Sequence, residues 1–254
     1  MFASTIYDFF TANPIGKYLN RNEYQCYGIL VGYVLFVTWL GPSWMKARKP
    51  FDLKIPMIVY NFFMSAFNFV SMTQLYLLTI NEWDMRCCSG SPETLQKAQD
   101  KLFIAWNIVF EKYLALFDTI FFVLRKKQNQ ISFLHVYHHI VTCLLVTWIG
   151  PEPDLIFFII ISMFLNSFVH VIMYFYYGLS AFGKSIQKYL WWKRYLTIIQ
   201  IVQFLLVISY TSISVGSGCE KMNNLQIFYV FFVVTILVLF INFYRNSFKR
   251  KKIE

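Results

Sequence analysis

Charge is scarce in this chain: 14% of its 254 residues are Asp, Glu, Lys or Arg, against 57% hydrophobic and 20% aromatic. A soluble domain of that length carries more charge, and spaces its apolar residues amphipathically rather than in long blocks. A soluble enzyme is therefore excluded, and an all-α, polytopic membrane protein is expected as a single domain over residues 1–254. Acidic residues are fewer still, 13 against 23 Lys and Arg, for a formal net charge of +10. Spread over one face, that excess would suit nucleic acid. The basic residues instead sit in short loops at the ends of apolar blocks, so no nucleic-acid partner is expected. Asn-x-Ser/Thr sequons are missing, and glycosylation therefore gives no clue to orientation. The first twenty residues lack a basic start, an apolar core and a small-residue cleavage site, so no cleavable signal peptide is expected. Histidine is rarest among the groups that titrate near neutrality: there are four, three of them within five residues.

Seven apolar blocks are long enough to cross a ~30 Å hydrocarbon core. They run from about Tyr24 to Met45, Ile55 to Ile80, Leu102 to Leu124, Ile131 to Ile149, Leu155 to Tyr177, Tyr195 to Val215 and Gln226 to Tyr244. The fourth is the shortest. Residues 1–23 are a polar-aromatic lead-in, Asn81 to Lys101 is the longest polar loop, and residues 245–254 are a basic tail. Lys and Arg distribute unevenly between the two sides. One side collects Lys46 to Lys54, Arg125 to Lys127, Lys184 to Arg194 and Arg245 to Lys252, sixteen in all; the other has six. The positive-inside tendency puts the first side in the cytosol, with the C-terminus there and the lead-in opposite. Lys251 and Lys252, third and fourth from the end, match a dilysine retrieval signal of the endoplasmic reticulum, which sets the expected location.

The histidine cluster reads His135-Val136-Tyr137-His138-His139. On a helix, His135, His138 and His139 are at i, i+3 and i+4, so the three imidazoles share a face. Helix rise places them ~12–18 Å in from Lys127. Asp118 and His170 lie ~10 Å from the cytosolic ends of their spans, and Asn166 shares a face with His170 and Tyr174. Thr197, Gln200 and Gln203 recur every three residues in the sixth block. Each polar group alone would serve as glue between helices. Their agreement in depth across four consecutive blocks points to a reaction chamber open to the cytosol. Lys112 is deeper, ~20 Å from the Arg125 end, and needs an anionic or carbonyl partner there.

Di-iron membrane oxygenases use similar HxxHH boxes, but build their sites from roughly eight histidines, and four cannot supply that set. A single zinc on box histidines with His170 is compatible with ligand type. Without a metal, imidazole serves as a general base or as a nucleophile that forms an acyl-imidazole. Cys143, at i+4 from His139, is an alternative nucleophile, though a buried apolar cysteine is ordinarily inert.

These residues resemble the very-long-chain fatty acid elongases of the endoplasmic reticulum, from about the second block to the seventh. His135 to His139 match the family's HxxHH box. Asn166-Ser167-Phe168-Val169-His170-Val171-Ile172-Met173-Tyr174-Phe175-Tyr176-Tyr177 matches its NxxxHxxMYxYY motif, and Thr197 to Gln203 matches TxxQxxQ. One motif departs: KxxExxDT aligns on Lys112, Asp118 and Thr119, but Ala115 occupies the glutamate position. Either Glu111, one turn earlier on the same face, supplies the carboxylate, or the glutamate is dispensable.

The resemblance implies a seven-span fold in which six helices form a barrel around an acyl tunnel. It implies a 3-oxoacyl-CoA synthase that joins acyl-CoA and malonyl-CoA without a redox cofactor or a metal. His138 would take the acyl group, and His170 with Asn166 would position malonyl-CoA and stabilise its enolate. His135 and His139 would orient groups or move protons, and Asp118 would fix an imidazole tautomer. Lys112, Tyr137, Tyr174, Tyr177, Gln200 and Gln203 would line the substrate path, and Lys126 and Lys127 would attract anionic CoA. The Arg-Cys of the family's loop, here Arg86-Cys87, implies a Cys87–Cys219 disulfide, with Cys88 as the alternative. The other enzymes of the elongation cycle are expected partners in the bilayer, and a homo-oligomer is compatible with the sequence.

Overall fold

The computed structural model describes residues 13–87, 91–150, 152, 155–219 and 222–249. The first twelve residues of the lead-in, Cys88, Lys251 and Lys252 lie outside the described residues. Among those described, all regular structure is helical. We number the α-helices α1 (Pro14–Arg21), α2 (Glu23–Leu35), α3 (Gly41–Met45), α4 (Lys54–Asn81), α5 (Pro92–Asp100), α6 (Leu102–Leu114), α7 (Phe117–Leu124), α8 (Phe133–Ile149), α9 (Ile156–Ala181), α10 (Lys184–Gln187), α11 (Lys193–Gly216) and α12 (Asn224–Tyr244). A π-helical segment, Phe36–Leu40, makes α2 and α3 one continuous element.

Five helical stretches have the length and hydropathy to cross a membrane: Glu23–Met45, Lys54–Asn81, Phe158–Ala181, Lys193–Gly216 and Asn224–Phe248. The protein is thus a multi-pass membrane protein. The two other expected crossings differ. Leu102 to Leu124 is divided into α6 and α7 at Ala115 and Leu116, which are 3% and 4% exposed. Both are good helix formers, so packing rather than local propensity interrupts the helix. α8 starts two residues later than its apolar block, because Ser132 caps it by accepting the His135 backbone N–H. Its 17 residues rise ~25 Å, less than the hydrocarbon core. The polar loop after α4 is also more ordered than expected, with a 3₁₀ turn at Trp83–Cys87 and α5.

Local signals fix most ends. Asn13 caps α1, whose first residue is Pro14, where proline is tolerated. Asn223 and Gln226 form a reciprocal capping box at the start of α12. Large apolar side chains lie exposed along these helices, among them Trp39, Phe69, Leu77, Ile213, Phe231 and Val238. That pattern would be costly in water and suits a lipid surround.

The chain forms two compact units. One takes in the described residues of Met1–Leu53 and Pro92–Ile156; the other, those of Lys54–Ser91 and Phe157–Glu254. In the first, α6 and α2 pack on α8, and α3 approaches α7. Asn13 donates to Asn107 at 2.8 Å, tying α1 to α6, and Trp148 donates to Tyr27 at 2.8 Å, tying α8 to α2. In the second, α11 packs along α12. Ser65 of α4 donates to the Val171 carbonyl of α9 at 2.9 Å, and Tyr229 of α12 bonds Ser162 of α9. A disulfide joins Cys87, after α4, to Cys219, after α11.

Candidate active site

In the first unit, helix spacing and one cap together assemble the histidine box. The Ser132 hydroxyl accepts the His135 backbone N–H at 3.2 Å, fixing where the helix starts and so the face on which its histidines emerge. The His135 and His139 ring centroids are 4.4 Å apart, and those of His138 and His139 are 5.7 Å apart. His139 is buried and the other two are half-buried. Phe122 of α7 packs on the His135 ring at 5.3 Å. Tyr137, on the next face, stacks on Phe133.

Two side chains beyond the box complete this arrangement. Thr119 Oγ1 is 2.9 Å from His135 Nε2, and Tyr33 Oη of α2 is 2.6 Å from that same Thr119 oxygen. Three helices thus meet in one hydrogen-bonded chain. Asp118, next to Thr119, is half-buried in the first turn of α7, where a carboxylate is favoured by the helix dipole. Sequence reasoning aligned Thr119 without giving it a role and missed Tyr33, whose block carries no motif.

Lys112 is buried and its Nζ lies 2.5 Å from Glu111 Oε2, with side chains 5% and 3% exposed. Adjacent residues on a regular helix diverge. This pair meets just before the break at Ala115. Cys143 is wholly buried and its thiol donates to the Lys112 carbonyl at 3.4 Å, a packing role between α8 and α6. At the other end of α7, Lys126 has φ 54° and donates to the Lys46 carbonyl at 3.3 Å, so part of its capacity goes to tying two loops. Lys127 is exposed.

In the second unit, Asn166 Nδ2 and His170 Nε2 are 3.4 Å apart on α9. His170 is 8% exposed and meets the Tyr174 ring edge-on at 5.7 Å. Tyr174 is buried against Tyr60 of α4 and also meets Tyr177, which is exposed. On α11, Gln200 donates to Met173 Sδ at 3.6 Å, and Gln203 is buried. Sequence reasoning overlooked a polar stripe on α4: Asn61, Ser65, Asn68 and Ser71, all buried. Their spacing of four, three and three was the signal that could have found it.

Among the described residues, no group of three His, Cys, Asp or Glu side chains is arranged to hold a metal ion. What the geometry offers is imidazole chemistry in apolar surroundings, with hydroxyl and amide partners.

Residues 18–254 match the family model described as ELO: GNS1/SUR4 family. The chain belongs to the ELO family. Human "Very long chain fatty acid elongase 4" is 41% identical over 238 residues, 92% of this chain and 74% of that protein. Human "Very long chain fatty acid elongase 1" is 41% identical over 237 residues, 88% of this chain and 81% of its own length. The rat "Very long chain fatty acid elongase 7" is 45% identical over 184 residues, 70% of this chain and 64% of that protein. The ELO match takes in both units, and so both histidine sites.

Proposed function

We propose that this ELO-family chain is the condensing enzyme of fatty acid elongation, joining a long-chain acyl-CoA and malonyl-CoA to give 3-oxoacyl-CoA, CoA and CO2. The observation that carries the reading is a box of three clustered imidazoles, one of them anchored at both backbone and ring. His138 attacks the acyl thioester, forming a C–N bond as the C–S bond breaks. The imidazole proton leaves with the CoA sulfur. Malonyl-CoA then loses CO2, and the electron pair of the broken C–C bond becomes the enolate. That carbon attacks the acyl-imidazole, forming the new C–C bond as the C–N bond breaks, and the released His138 takes up a proton from solvent to return to neutral imidazole. His170 and Asn166 supply donors toward the enolate oxygen. Every electron is accounted for within the two thioesters, so no redox cofactor is called for. Tyr137, Tyr174, Tyr177, Gln200, Gln203 and Lys112 serve substrate positioning, and Lys126 and Lys127 draw anionic CoA to the site. The topology belongs to the same reading: α6 with α7, and α8, are the remaining crossings of a seven-span fold in the endoplasmic reticulum, its C-terminus cytosolic.

Purified protein incubated with labelled malonyl-CoA and a panel of acyl-CoAs tests this directly. Labelled 3-oxoacyl product and CO2 are expected, and His138→Ala should lower the rate by at least ~100-fold. No product from any acyl-CoA, or indifference to His138→Ala, would leave a receptor or transporter. Dependence on iron and oxygen would leave a lipid hydroxylase.

A further inference from the structure

Tyr33 lies outside every quoted motif, yet it connects with the histidine box through Thr119. Its phenol lies 2.6 Å from Thr119 Oγ1, which in turn lies 2.9 Å from His135 Nε2. Tyr33 is 6% exposed and Thr119 fully buried, so their hydroxyl protons need partners inside the protein. A phenolic O–H, with an unperturbed pKa near ~10, is a far better donor than the aliphatic hydroxyl of threonine. The favoured order is therefore Tyr33 donating to Thr119, and Thr119 donating its single proton to His135 Nε2. A neutral imidazole that accepts at Nε2 carries its proton on Nδ1.

We propose that Tyr33 is a positioning residue which, through Thr119, fixes the ring of His135 and holds it in the Nδ1–H form. The consequence divides the labour within the box. In this form His135 has no lone pair free to attack a thioester or abstract a proton. It serves as a hydrogen-bond donor through Nδ1–H, and nucleophile and base are drawn from His138 and His139. Ser132 completes the device by holding the His135 backbone N–H, so ring and main chain are fixed from opposite ends of one residue. Gly41 contributes from further along the same element: a Cβ there would lie 2.7 Å from Val123 Cγ1, one turn beyond Thr119. Glycine lets the element that carries Tyr33 come this close to α7.

The division of labour rests on the elongase reading; the tautomer does not. With only four histidines in the chain, ¹⁵N-histidine labelling of the full-length protein in detergent resolves each ring, and His135→Gln assigns its signals. The expected wild-type spectrum has His135 neutral, protonated at Nδ1 and accepting at Nε2. Tyr33→Phe should mix the two tautomers and lower kcat for condensation ~10-fold, with KM for acyl-CoA nearly unchanged. Thr119→Val should do the same more strongly, and Thr119→Ser, which keeps the hydroxyl, should restore both readouts. A wild-type His135 protonated at Nε2 would overturn the proposal, as would a Thr119→Val spectrum and kcat matching wild type. Absence of product from the wild-type enzyme would instead refute the elongase reading and leave the tautomer measurement standing.

Discussion

Glu111 and Lys112 meet where a lone charge would be least tolerated. Each is nearly fully buried within an apolar helix, and their charged atoms are 2.5 Å apart. Removing one partner of such a pair leaves the other charge exposed to a low-dielectric interior, at a cost of about 3–5 kcal/mol. The family motif puts its glutamate three residues after the lysine, where this chain has Ala115. A carboxylate at either position reaches Lys112, from the adjacent residue in the observed pair or from i+3 on a helix. Glu111→Gln is therefore expected to lower both the melting temperature in detergent and the condensation rate. Adding Ala115→Glu to that variant should recover most of each, as measured by thermal shift and product formation. A Glu111→Gln enzyme with wild-type stability and rate would show that Lys112 does not depend on this carboxylate. Lys112 was legible in the sequence because a lysine inside an apolar block stands out. Glu111 was legible only as one of two alternatives, since helix spacing alone sets neighbouring side chains apart. Tyr33 was not legible, because a tyrosine in an aromatic-rich span looks like packing until Thr119 is seen beside it.

At the scale of elements, hydropathy fixed the long helices to within a few residues, because lipid rewards an unbroken apolar run and polar caps end it. It did not foresee the break at Ala115 and Leu116 or helix α5. The first is imposed by packing on good helix formers, and the second is polar sequence with a proline start. The π segment at Phe36–Leu40 is equally silent in the sequence, although Gly41 marks its end. A Cβ on Gly41 would approach the Phe36 carbonyl oxygen at 2.6 Å and Val123 Cγ1 at 2.7 Å, too close for either to relieve easily. Gly28, on the same element, has nothing within 4 Å of an added Cβ. Gly41→Ala should accordingly destabilise the protein, while Gly28→Ala should leave it unchanged or stabilise it by up to ~1 kcal/mol. Parallel melting curves of the two variants check this, and equal curves would remove the close approach as the reason for glycine at 41.

For the molecule as a whole, the charge pattern and the disulfide bear on one question, which face of the bilayer each loop occupies. Cys87 and Cys219 are 132 residues apart in sequence, and their bond ties together the ends of α4 and α11. Disulfides persist in oxidising compartments, and the proposed topology puts these two loops on the face opposite the sixteen-residue basic set. Under the proposed topology, two independent physical tendencies, cation retention on one side and thiol oxidation on the other, predict the same orientation. In sealed microsomes, a membrane-impermeant maleimide should leave both cysteines unlabelled. After reduction and permeabilisation, both should react. Cys219→Ser should free Cys87 for labelling in opened vesicles only. It should also lower stability by about 2–5 kcal/mol, because the cross-link no longer restricts the unfolded chain. Labelling of Cys87 in sealed vesicles carrying the Cys219→Ser variant would invert the topology, and the basic loops would then need a reason other than retention in the cytosol.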